Sequence, residues 1–162
     1  MFLSLQRSKK MTSLVKDSVQ VVTGKVTAPK QVKIPGTDID CACYWMMVEA
    51  WKQPARKKGR KMWMPESSQQ GSNGFFVEDA TGKIWVADDA KVLELRSGWE
   101  NSGRMGKKGT RRFVSRCIKT GDIIKIRGTV TAAKGAEPAG CMVLRPDSKG
   151  FISIIQKKKG SR

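Results

Sequence analysis

The chain of 162 residues carries 32 Lys and Arg against 14 Asp and Glu, a net charge of +18, with no histidine and 39% hydrophobic residues. That length and apolar content fit one compact domain with ends to spare. The positive excess directs attention to nucleic acid or an anionic membrane surface and away from a small-molecule substrate, and no apolar run reaches the roughly 18 to 20 residues of a membrane-spanning helix.

Residues 1–18 form a basic N-terminal arm. "MFLSLQRSKKMTSLVKD" has no acid before Asp17, as in a mitochondrial presequence; the plainer reading is a basic arm or a short helix, because Met11, Leu14 and Val15 fall at helical spacing. A cytoplasmic location is expected, or a mitochondrial one if residues 1–16 act as a presequence. From Val19 to residue 156 the chain reads as one β domain. Seven runs have strand character: 19–27, 41–51, 74–79, 83–88, 122–130, 141–146 and 151–155. In "DIIKIRGTV" (122–130) Ile124, Ile126 and Val130 share one face and Lys125, Arg127 and Thr129 the other. "CACYWMMVEAW" (41–51) is apolar in both parities, as suits a central strand covered on both sides. "GFFVEDATGKIWVAD" (74–88) is a hairpin, with Asp79 and Gly82 supplied to its turn and Phe75, Phe76, Ile84, Trp85 and Val86 expected in the core. The expected class is all-β with minor helix, a small barrel with long basic loops.

The cations are placed in the connections. Residues 52–61 hold Lys52, Arg56, Lys57, Lys58, Arg60 and Lys61; residues 101–119 hold Arg104, Lys107, Lys108, Arg111, Arg112, Arg116 and Lys119 with no acid. A basic tail at 157–162 includes Lys157, Lys158 and Lys159. Such segments lay ammonium and guanidinium groups on phosphates without reading sequence. Trp51 and Trp63 bracket the first basic loop and Trp99 precedes the second, so nucleobases could stack there; core or edge packing is the competing role for each. "GRMGKKGT" (103–110) lacks the G-x-x-x-x-G-K-[ST] spacing of a phosphate loop.

Cys41, Cys43, Cys117 and Cys141 lack both C-x-x-C spacing and any histidine partner, so no metal or other cofactor is expected. Cys41 and Cys43, two apart in an extended run, would share one face as small buried hydrophobes. No catalytic constellation can be assembled. A Ser or Cys nucleophile has no histidine base, and Asp38, Asp40, Glu78, Asp79, Asp88 and Asp89 sit around turns.

The order of motifs resembles the GIDE-type domain. "VTGKVTAP" is followed by "CACYWMMVEAW", a polar interval with Trp63, "GFFVEDATGKIWVAD", "IKTGDIIKIRGTV" and a last "FISI". That domain occurs in membrane-associated proteins, including RING-type ubiquitin ligases of the mitochondrial outer membrane, and is regarded as OB-like. The resemblance spans about residues 19 to 156 and implies an OB-like barrel. Four cysteines without histidine cannot supply the eight ligands of a RING, so ligase activity does not carry over. Charge, and not the resemblance, makes the expected function non-enzymatic nucleic-acid binding, RNA before DNA, within a large ribonucleoprotein assembly. The alternative is a peripheral module meeting anionic lipid head groups or a protein partner.

Overall fold

A β-strand whose alternate side chains are apolar must bury one face, and several such strands bury it most fully by closing on themselves. A computed structural model of the protein shows this solution. It describes residues 10, 14, 16–53, 59–88, 94–96, 101–105, 110–147 and 149–157, with 94–96 and 101–105 described by backbone alone. The strands in chain order are β1 (Val19–Thr27), β2 (Val32–Lys33), β3 (Asp40–Cys41), β4 (Cys43–Lys52), β5 (Met62–Ser72), β6 (Phe75–Asp79) and β7 (Gly82–Val86). They continue with β8 (Glu94–Arg96), β9 (Asn101–Met105), β10 (Arg111–Ile118), β11 (Ile123–Ala132), β12 (Met142–Arg145) and β13 (Phe151–Gln156). No α-helix occurs among the described residues.

Five strands close a barrel in the order β1-β6-β7-β12-β11 and back to β1. Four of its seams are antiparallel, and β7 and β12 run parallel at Trp85–Val143 and Val86–Leu144. The all-β small barrel expected from the sequence is thus the fold. Its interior takes Val22, Val26, Phe75, Val77, Ile84, Val86, Ile124, Ile126, Val130 and Leu144, all fully buried. Burying each such side chain stabilises by about 1.5 to 3 kcal/mol. The β6–β7 turn forms as the sequence demands: Asp79 Oδ1 accepts from Thr81 N at 2.7 Å, Thr81 Oγ1 at 2.6 Å and Gly82 N at 3.1 Å.

Two connections of the barrel carry a second sheet. Residues 28–74, between β1 and β6, contain β2 to β5; residues 87–122, between β7 and β11, contain β8 to β10. Strand β4 pairs with β10 from Cys43–Ile118 to Ala50–Arg111, giving a four-stranded sheet in the order β5-β4-β10-β9. At its inner end Cys43, Trp45 and Ile118 join the barrel core. On the opposite face Tyr44 and Cys117 pack with Ile34 and Cys41 under the β2–β3 hairpin. At its base, from Cys43 to Trp45, strand β4 is therefore covered on both sides, as its double apolar parity leads one to expect.

Three expectations are corrected. Residues 62–72 and 111–118, expected as a polar interval and part of a basic loop, are strands β5 and β10. Their backbones are satisfied by pairing with β4, so neither needed an apolar alternation to become a strand. Cys41 and Cys43 do not share a face: a bend at Ala42 separates β3 from β4, and Cys41 enters the small cluster while Cys43 enters the barrel core. Phe76 and Trp85 are half-buried on the outside of the barrel. The β6–β7 register pairs Phe76 with Trp85 and Val77 with Ile84, and Val77, Ile84, Phe75 and Val86 already occupy the inner positions.

Candidate nucleic-acid interface

The pairing of β4 with β10 decides where the basic segments meet. Lys52 at the end of β4 is opposite Met62 at the start of β5, and Trp51 N donates to Thr110 O at 2.8 Å. Hence the β4–β5 connection and the β9–β10 connection leave the same end of the sheet, side by side. Two cationic segments some fifty residues apart in sequence are brought to one edge.

Burial is deepest at the barrel end of the sheet and least at that edge. In β4 Cys43, Tyr44 and Trp45 are buried, Met46 to Glu49 are half-buried, the small Ala50 is buried again, and Trp51 and Lys52 are exposed. Strand β10 repeats the gradient in reverse, from exposed Arg111 to buried Cys117 and Ile118. Trp51 is 44% exposed and lies directly across from Trp63, with ring centres 5.4 Å apart and planes tilted by 59°. The Arg112 guanidinium carbon sits 4.5 Å from the centre of the Trp63 ring, and its Nε donates to Glu49 Oε1 at 2.8 Å. Arg111 forms a two-pronged pair with Glu66, Nε to Oε2 at 2.8 Å and Nη2 to Oε1 at 3.1 Å. Lys52 Nζ approaches the same carboxylate at 4.0 Å. The hydrogen bond from Arg111 holds the Glu66 carboxyl below the usual carboxylate range and raises the Arg111 guanidinium in turn.

These contacts sort the expected site residues. Arg111 and Arg112 are braced by carboxylates and tie β10 to β5 and β4 respectively, although each keeps N–H donors beyond those its acid takes. Lys52, Arg60 and Lys61 are exposed at the edge. The backbone of residue 104 pairs opposite Arg112, which places it at the same end. Arg116 and Lys157 are not part of the edge. Arg116 pairs opposite Trp45 toward the barrel end of the sheet, and Lys157 Nζ donates to Cys117 O at 3.0 Å and lies 3.4 Å from the buried Asp122 carboxylate, also at the barrel end of β10. Arg56, Lys57, Lys58, Lys107, Lys108, Lys158, Lys159 and Trp99 lie outside the described residues.

Below the edge, on the other face of the sheet, Met46, Val48 and Phe113 line an apolar cleft of about 310 Å³ with Pro35 and Gly36. Burial pushes the Cys43 thiol up to about 12, and a hydrogen bond with Cys117 raises that of Cys41, so these two stay protonated. Among the described residues no three His, Cys, Asp or Glu side chains gather where a metal ion could be held. Among the described residues there is no helix long and apolar enough to cross a membrane.

Compared with protein-family models, with curated proteins and with solved structures, the chain matches none.

Proposed function

We propose that the protein is a non-enzymatic nucleic-acid-binding protein that holds RNA phosphates at the outer edge of the four-stranded sheet, as a component of a large ribonucleoprotein assembly. The observation that supports this is the convergence of two cation-rich connections at one edge, beside an exposed Trp51. A phosphate backbone laid across the edge meets Arg60, Lys61 and Lys52 while an unpaired base stacks on the Trp51 indole. RNA is favoured over DNA because single strands and loops offer such bases to a protein. The barrel order, with one parallel seam between its third and fifth strands, supports reading it as an OB-type barrel of the kind the GIDE-type resemblance implies.

The test is the salt dependence of affinity. Each cation that neutralises a phosphate on a single strand contributes about 0.7 to the slope of log affinity against log salt. Replacing Arg56, Lys57, Lys58, Arg60 and Lys61 by Gln should flatten the slope by up to about 3.5 units and leave the unfolding midpoint in place. An unchanged slope would move the site away from the edge. The apolar cleft favours a second reading, a peripheral module whose basic edge meets anionic lipid while Met46, Val48 and Phe113 face an apolar partner. Flotation with anionic vesicles, together with a purified protein free of nucleic acid, would select that reading.

A further inference from the structure

A second surface, on the barrel, is built differently from the basic edge. The outer face of the β6–β7 hairpin sets Phe76 opposite Trp85 and Glu78 opposite Lys83. The two rings meet edge to face with centres 4.8 Å apart, and Lys83 Nζ lies 4.3 Å from the centre of the Phe76 ring. Gly74, at φ +81°, makes room for the indole, since a Cβ there would collide with the Trp85 ring. The indole is thus fixed in place while staying half-exposed.

Beside it lies a notch of about 230 Å³ lined by Asn73, Trp85, Asp88, Ala136 and Glu137. Glu137 is engaged: Arg145 Nη1 donates to its Oε2 at 2.9 Å and Lys134 N to its Oε1 at 3.0 Å, which pins the β11–β12 connection as one wall. Asn73 and Asp88 are exposed, and no described residue hydrogen-bonds their side chains. A carboxylate without a partner at a nucleic-acid surface repels phosphate, and it is useful there only if the ligand brings paired donors.

We propose that this notch receives one unpaired nucleobase of the bound RNA, guanine in preference to the others, stacked against Trp85 with its Watson–Crick edge toward Asp88; the inference rests on the nucleic-acid reading above. Guanine alone places two adjacent donors, N1–H and N2–H, against the two oxygens of a carboxylate. Adenine and cytosine put a ring lone pair beside their amino group, and uracil flanks its N3–H with carbonyl oxygens, so each sets an acceptor against Asp88. The edge would then supply affinity and the notch a sequence preference, with Lys83 and Lys134 beside it for the adjoining phosphates.

Titrating guanosine, adenosine, cytidine and uridine monophosphates into the intact protein, while following the indole N–H resonance of Trp85, reads the notch without the edge. A Trp85→Phe variant identifies the resonance. Guanosine monophosphate is expected to move it at a concentration about tenfold lower than the other three. Asp88→Asn should abolish that difference and leave the salt slope of RNA binding unchanged. A resonance that no nucleotide moves, or a preference that survives Asp88→Asn, overturns the proposal. RNA that fails to bind the wild-type protein, with Trp85 still responding to guanosine monophosphate, would instead refute the edge as the phosphate site.

Discussion

The barrel and the four-stranded sheet divide burial in different directions. Along a barrel strand such as β11, burial alternates residue by residue, with Ile124, Ile126, Gly128 and Val130 inside and Lys125, Arg127 and Thr129 outside. Along β4 and β10 it changes from one end to the other, from Trp45 and Ile118 in the core to Trp51 and Arg111 at the edge. A strand of the first kind spends its whole length on stability. One of the second kind is anchored at its base and free to present chemistry at its tip, so the sheet can carry a dense positive charge that the barrel does not have to bury.

The largest test of this division lies within one dipeptide. Phe75 and Phe76 are neighbours in sequence, yet Phe75 is fully buried and Phe76 is on the outer face. Phe75→Ala should cost about 3 to 5 kcal/mol in urea unfolding, and Phe76→Ala much less. Equal costs would mean that the outer face of the hairpin is as structural as the inner one. A smaller effect is expected where the sheet is braced. Arg112 loses a carboxylate partner and an aromatic contact on truncation, but both are partly solvated, so Arg112→Ala should cost about 1 kcal/mol. A loss as large as that of Phe75→Ala would make the edge part of the folding core. The smallest effect has the opposite sign. The buried hydroxyl of Ser115 has no hydrogen-bond partner among the described residues, so Ser115→Ala should raise stability by up to about 1 kcal/mol. A destabilised variant would reveal a partner for that hydroxyl.

Strands that obey a period of two inside a barrel are legible from sequence, and β1, β6, β7, β11, β12 and β13 all fall within a residue or two of where the alternation of apolar side chains puts them. What was not legible follows from the same rule. "PESSQQGS" in β5 has almost nothing to bury, because β5 is paired on one side only and its side chains face solvent. In "RRFVSRCI" the arginines obscure Val114, Cys117 and Ile118, which are buried only because β4 lies alongside. Residue type alone points Phe76 and Trp85 to the core, whereas the turn at Asp79 fixes a register in which Val77 and Ile84 point inward. The richest cation clusters could be found by counting. That they share an edge could not, since it depends on a pairing between segments from two different barrel connections.

That pairing also constrains the order in which the molecule can assemble. Strand β4 leaves the ribosome early and has its hairpin partner β5 next in the chain after the connection 53–61, but a two-stranded hairpin is marginal alone. Its other neighbour, β10, follows some sixty residues later, and β1 must wait for β11, which it meets from Val19–Thr129 to Lys25–Ile123. Pairings of such sequence separation are slow to form. A chain synthesised from its N-terminus therefore carries the apolar strands β1, β4, β6 and β7 unclosed until β11 and β12 emerge. During that interval the Lys- and Arg-rich connections surround the exposed strands with like charge, which keeps nascent chains apart before the barrel closes.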